Sequence, residues 1–351
     1  MTQSPAQQGF FFPAEWHPHA ATWLTWPHTE ASWTPARQAL MLPAYIEFIK
    51  TIARGEQVCI NAHDQTVMHT IEMHLQRSGA DMSRITLLPF ATNDSWCRDH
   101  GPAFLINPDR NERMIVNWGY NAWGGKYPPF DHDDRIPERI ARYRNLDYVT
   151  PDVIMEGGSV EFNGAGALLT SRACLLNQNR NPDLSPGQIE QALRDFYGVD
   201  QILWVDDGIV GDDTDGHIDD TVRFVNEDTV LAAYETNPTD ANYPILRNIH
   251  RELRQIRLHN GKPLTIVELP MPDPVYSDGL RLPASYANFY IANAAVIVPT
   301  FRCANDQRAL DIIGRCFTDR PVVGIDSTDI VWGLGSFHCL SQQEPALSST
   351  P

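Results

Sequence analysis

The sequence predicts an α/β fold in which five ββαβ-type units surround a pseudo-fivefold axis, in a single domain spanning residues 1–351. Three observations predict it. A short hairpin pattern recurs along the chain. Helical stretches and β-branched runs alternate with the hairpins. The recurrence is also nearly periodic, with leading residues Asp99, Glu156, His217 and Tyr286 lying 57, 61 and 69 residues apart. A chain of 351 residues holds about five such units, which suits a closed ring better than a linear stack. The competing architecture is an ordinary doubly wound sheet, preferred if the hairpins are illusory.

The elements follow in chain order. "EWHPHAATWLTWP" (15–27) reads as a degenerate first hairpin, and Val67, Ile71 and Leu75 mark one face of a helix. "RDHGPAFLINPDRNERMIVNW" (98–118) is a polar turn followed by two apolar strands about a Pro-Asp-Arg-Asn reversal. "IPERIARYRN" (136–145) is a short helix candidate. "EGGSVEFNGAGALLTSRACLL" (156–176) repeats the hairpin with Asn-Gly at its turn, a strong reversal signal. Ser185 as N-cap, Pro186 in the first turn and Gln188 completing a capping box open a helix that Gly198 stops. "QILWV" (201–205) follows as a strand. "HIDDTVRFVNEDTVLAAY" (217–234), a helix through Ile249, Leu253 and Ile256, and "LTIVEL" (264–269) make the next unit. "YANFYIANAAVIVPTF" (286–301), "NDQRALDIIGRCF" (305–317) and "PVVGI" (321–325) make the last.

Composition excludes some partners. Lys+Arg 27 against Asp+Glu 44 leaves a net charge of −17, which argues against nucleic acid and anionic membranes and is compatible with a cationic small molecule. The N-terminus lacks a basic n-region and an apolar h-region, and no stretch is apolar enough to span a bilayer. A cytoplasmic protein is therefore expected. Cys59, Cys97, Cys174, Cys303, Cys316 and Cys339 form no CxxC pair and read as free thiols.

Polar residues stand at the starts of the units: Asp99, Glu156, and His217 with Asp219, while Cys339 follows a Gly-rich turn near the chain's end. A ring would make them converge. A thiolate is a nucleophile that a nearby imidazolium favours, and His217 can serve as that partner and shuttle protons. Carboxylates beside a thiolate would repel it unless a cation lay between them, and they match the planar donor fork of a guanidinium. Gripping that group by its edges leaves its central carbon facing the sulfur. Each residue taken singly has a bland reading: an inert thiol, an acid-capped loop, a structural ion pair, or one part of a metal site. The combination at equivalent points of a repeat favours catalysis.

"NDSWCRDHGP", "NAWGG", "MEGGS", "LLNQNRNP", "GDDTDGHIDD", "LPASYANFYIAN" and "GLGSFHCLSQQEP" together resemble the agmatine deiminase family. That family belongs to the guanidino-modifying (pentein) superfamily, which also holds arginine and bacterial peptidylarginine deiminases. The resemblance runs from about Gly9 to Pro345 and implies a five-bladed α/β propeller. It implies Cys339 as nucleophile, His217 as general acid/base, Asp99 and Asp219 on the guanidinium, and Glu156 orienting His217. Trp96 would pack beside the substrate and Asp213 would lie near its distal amine. It also implies a homodimer, and the thiol chemistry expected at Cys339 needs no metal or organic cofactor. The chain departs from the family at Gly333-Leu334-Gly335-Ser336, where a third glycine is usual and where Leu334 resists a positive φ.

The expected reaction is hydrolysis of agmatine to N-carbamoylputrescine and ammonia through a thiouronium on Cys339. An arginine site should offer a cation for the substrate carboxylate. Arg98, next to Asp99, would point away in an extended segment, and Asp212, Asp213 and Asp215 suit an ammonium. Peptidylarginine or arginine deimination is the nearest alternative. Amidino transfer, a metallohydrolase and a non-catalytic guanidine-binding or protein-interaction module are the others.

Overall fold

The computed structural model describes residues 3–347. The chain begins with three parallel strands, β1 (His19–Thr25), β2 (Gln57–Asn61) and β3 (Ile85–Leu88), joined by helices Pro35–Ala53 and Gln65–Arg77. Four units then share one plan, an antiparallel hairpin, a helix, and a third strand parallel to the hairpin's second. They are β4 (Ala103–Asn107), β5 (Glu112–Val116) and β6 (Tyr148–Val149); β7 (Val160–Phe162), β8 (Ala167–Ser171) and β9 (Gln201–Val205); β10 (Val222–Phe224), β11 (Thr229–Tyr234) and β12 (Thr265–Pro270). A small ribbon, β13 (Tyr276–Ser277) with β14 (Leu280–Arg281), precedes the fourth: β15 (Tyr290–Ile291), β16 (Val296–Thr300) and β17 (Val322–Asp326). The turn residues explain why these pairs form, since Asn-Gly and Asn/Asp clusters reverse the chain locally.

"EWHPHAATWLTWP" is not a hairpin, which corrects the reading above. The antiparallel partner of β1 is the chain's last strand, β18 (Ser341–Pro345), with Leu24 opposite Ser341 and Thr22 opposite Gln343. The helix Pro35–Ala53 also escaped the sequence reading, because Pro43 interrupts it. Elsewhere the expected helix signals hold: Ser185 caps Pro186–Tyr197 through the full capping box, and Gly198 ends it at φ 66°.

Five apolar cores lie between successive sheets. Trp23 and Phe104 meet in one, Leu105 and Phe162 in the next, Leu169 and Phe224 in a third, Leu231 and Val298 in a fourth. In the fifth, Ile297 and Ile325 of the last sheet pack with Leu24 and Ile60 of the first. Among the described residues no helix is long and apolar enough to cross a membrane, and all six cysteines are free thiols.

Candidate active site

The five side chains singled out in the sequence sit on the short segments that lead into first strands. Asp99 precedes β4, Glu156 precedes β7, His217 and Asp219 precede β10, and Cys339 precedes β18. All five are buried and they converge. The missing Cβ of Gly158 marks their meeting point: built there, it would lie 2.6 Å from His217 Nδ1, 2.9 Å from Asp99 Oδ1 and 3.1 Å from Asp219 Oδ2. Only glycine fits. His217 Nδ1 is 3.8 Å from Asp99 Oδ1, and its Nε2 is 3.8 Å from Glu156 Oε2. Cys339 Sγ lies 3.5 Å from Asp219 Oδ2 and 2.9 Å from Asn288 Nδ2. Both ring nitrogens of His217 and Oδ1 of Asp219 are buried without a hydrogen-bond partner among the described residues.

Burial and crowding set the charges. Burial pushes the Cys339 thiol well above its usual range, and Asp219, Asp220 and Asp99 push it further. Burial raises Asp99 to about 6, with His217 opposing and Asp219 and Glu156 adding to the rise. Burial alone would neutralise His217, yet Asp99 and Glu156 hold it well above the ordinary imidazole range. Glu156 stays below its usual value against burial because His217 and Arg180 neutralise it. Arg180 Nε is 2.6 Å from Glu156 Oε1.

A cavity partly open to solvent lies in front of Cys339, with Asp94, Trp96, Asp99, Trp123 and Asp213 in its wall. Trp96 is 4 % exposed and packs on Trp33 at 5.2 Å between centroids, so it is both a core indole and a cavity wall. Asp213 is at the rim, with a half-exposed side chain bonded by Tyr127 and 3.5 Å from Lys126 Nζ.

Among the described residues two groups have metal-ligand chemistry, Glu156 with Cys174 and His217, and Asp219 with Asp220 and Cys339. Arg180 on Glu156, and His338 and Asn288 on the two aspartates, already supply the donors and positive charge. Neither group fits a resident cation.

A sequence profile of the Porphyromonas-type peptidyl-arginine deiminases matches residues 11–345. The chain belongs to that family. Among its relatives, an agmatine deiminase of Pseudomonas aeruginosa is 35% identical over 368 residues, covering 98% of each chain. The solved structure of the Enterococcus faecalis agmatine deiminase matches with a TM-score of 0.91 at 31% identity, over 99% of this chain and 98% of that one. A cysteine-to-serine variant of the C. jejuni agmatine deiminase with substrate bound matches at 0.87 and 30% identity, over 96% and 97%.

Within this family member, several contacts around the cluster come from residues that the sequence reading passed over. Asn288 stands two positions before β15, as Cys339 stands two before β18. Its amide bonds Cys339 Sγ and Asp220, and its carbonyl accepts from the backbone N–H of His338. Trp123 Nε1 donates to Asp99 Oδ2 at 2.9 Å. Arg180 reaches from Glu156 to Asp215 at 2.5 Å. All three lie in motifs already quoted ("LPASYANFYIAN", "NAWGG", "LLNQNRNP"), so motif membership was the available signal. Arg98 does point away from the cavity, bonding Gln343 and Glu15, but from a short helix (Cys97–His100) rather than an extended segment. Leu334 adopts φ 74° despite its side chain. Its flanking glycines serve another purpose: a Cβ on Gly333 would strike Trp33 at 2.4 Å, and one on Gly335 would strike Trp96 at 2.5 Å.

Proposed function

We propose that the protein hydrolyses agmatine to N-carbamoylputrescine and ammonia. The observation that carries this reading is the convergence of a thiol, an imidazole and three carboxylates around Gly158. Arg180 balances Glu156 and His338 meets one oxygen of Asp219, but Asp99 and Oδ1 of Asp219 have no charged hydrogen-bond donor, and a guanidinium supplies one. Asp99 and Asp219 grip the guanidinium edges. The thiol of Cys339 releases its proton to solvent through the open cavity as the cation binds, since His217 is already protonated, and the thiolate attacks the central carbon. His217, held protonated by Asp99 and Glu156, gives its proton to the departing ammonia, leaving a thiouronium on Cys339. The neutral imidazole then takes a proton from water, which attacks the same carbon and releases the ureido product and thiolate. Glu156 orients His217, Trp96 walls the site, and Asp213 receives the distal ammonium. The named activity of the full-length relatives supports the choice of agmatine.

The five sheets read as blades of a five-bladed α/β propeller around a pseudo-fivefold axis, in one domain over 1–351. The cyclic succession of the five apolar cores supports this. A homodimer in the cytoplasm is proposed with it on family resemblance, and light scattering tests the first part.

The deciding experiment has two arms. Rapid quenching of enzyme with agmatine should give a Cys339 adduct by mass, and Cys339→Ala should lose turnover by more than about 10⁴-fold. Normal turnover in that variant would sink the mechanism. Comparing kcat/KM for agmatine, arginine and a blocked arginine peptide ranks the substrates; arginine ahead of agmatine would overturn the choice.

A further inference from the structure

His338 precedes the nucleophile, and nothing above gives it work in the reaction. Its side chain is buried, and each end of the ring meets a carboxylate. Nδ1 is 2.6 Å from Asp219 Oδ2 and Nε2 is 2.7 Å from Glu15 Oε2. A carboxylate only accepts, so each ring nitrogen is placed to donate to a carboxylate oxygen. Glu15 is itself fixed, by Arg98 at 3.2 Å, Arg223 at 3.0 Å and the Ile291 N–H at 2.8 Å. The result is a rigid line, Glu15 to His338 to Asp219, that stops at the reaction centre. At its end Asp219 Oδ1 is buried and unpartnered.

We propose that His338 is a positioning residue for guanidinium binding: braced against Glu15, it fixes Asp219 through Oδ2, leaves Oδ1 free for the substrate's donor fork, and keeps that carboxylate ionised. The proposal rests on the guanidinium-binding reading of Asp219 given above. The neighbours explain why help is needed. Asp219 is faced by His217 and Asp220 from its own segment, by Asp99 from the helix Cys97–His100, by Arg223 from β10, and by Cys339 and His338 from the last segment. Asp220 serves as an internal comparison. It is equally buried but takes its hydrogen bond from the neutral amide of Asn288, and its carboxyl is held well above the usual range, by burial first and then by Asp219. The Asp219 carboxyl lies below the usual range although burial opposes this, and the His338 bond is the largest favourable cause.

The sign of the pH effect follows. Without His338, Asp219 would take up a proton at higher pH, and a protonated carboxyl has no charge for a guanidinium. The acid limb of kcat/KM, which Asp99 sets near 6 in wild type, should therefore move up as Asp219, like the equally buried Asp220, comes to titrate above it, with the defect growing as pH falls. In His338→Asn, KM for agmatine at pH 7 should rise at least tenfold, kcat should fall less, and the limb should move by about one pH unit. A merely structural residue would lower kcat/KM by one factor at every pH. An unmoved limb, or a wild-type KM, overturns the proposal.

Two measurements keep it separate from the choice of reaction and from misfolding. Calorimetry of agmatine with Cys339→Ala and with Cys339→Ala/His338→Asn reads binding without turnover; equal affinities overturn the proposal. In wild-type protein labelled with ¹⁵N-histidine, the His338 ring should show two protonated nitrogens at pH 7, and a neutral tautomer overturns it. If wild type binds agmatine but releases no ammonia, the reaction reading fails while these tests still decide the role of His338.

Discussion

Asp99 and Cys339 are strained in their charge states when the site holds no cation, and this makes ligand stabilisation depend on pH. The Asp99 carboxyl at about 6 lies above its unfolded value of roughly 4. It therefore stabilises the fold only while protonated: the contribution is present below pH ~4 and is lost as pH rises through 6. A bound guanidinium reverses that preference, because it favours the anion. The Tm increase given by saturating agmatine to Cys339→Ala should thus grow between pH 5 and pH 7. Thermal melts across that range check it. A ligand shift that shrinks with rising pH would mean that Asp99 does not meet the guanidinium. At this scale the sequence was informative for five residues, because acids and a histidine at repeat starts are conspicuous in a polar segment. His338, Asn288, Trp123 and Arg180 lie in quoted motifs but were passed over, because each acts on a partner in another element and a motif does not say which partner its residues meet.

At the scale of elements, legibility followed the range of the interactions. The hairpins β4–β5, β7–β8, β10–β11 and β15–β16 and the capped helix Pro186–Tyr197 depend on turn and cap chemistry within a few residues, and the sequence carries it. The turn at Ala122–Gly125 does not follow local preference. Ala122 and Trp123 have φ of 52° and 55°, followed by Gly124 and Gly125 at 89° and 77°. Two non-glycine residues in the left-handed region cost about 1–2 kcal/mol each, so surrounding contacts must impose the shape. Asn121 supplies one, accepting from Gly124 N–H at 2.8 Å and donating to Asn179 O at 3.0 Å. The product is Trp123 aimed at Asp99. Gly124→Ala would place a Cβ 2.5 Å from Asn179 Cγ. Asn179 cannot swing clear without losing Asp215, which it bonds at 3.0 Å. The expected loss is about 2 kcal/mol in urea unfolding together with a lower kcat/KM, whereas a variant equal to wild type in both would show that the turn is not coupled to the site.

For the whole molecule the decisive feature is the one with the longest sequence separation. β18 pairs with β1, so the last strand completes the first sheet, and Cys339 stands two positions before β18. No periodicity could announce this contact, which is why the first unit was misread as a hairpin of its own. Glu344 fastens the pair. It is 1 % exposed, accepts Trp23 Nε1 at 2.9 Å, and takes charge-assisted bonds from Arg113 and from Arg144 Nε, the latter at 2.9 Å. Glu344→Ala would leave two partly buried guanidinium groups without their carboxylate, at a cost of about 3 kcal/mol. Because Cys339, the proposed nucleophile, stands two positions before the same strand, opening this sheet should remove it from the site in the event that unfolds the molecule. Residual ammonia release and tryptophan fluorescence, followed through urea, should therefore share one midpoint in wild type and one lower midpoint in Glu344→Ala, at unchanged slope. Activity lost well before fluorescence changes would mean that β18 opens locally, and the nucleophile would then depend on a latch rather than on the closure of the whole fold.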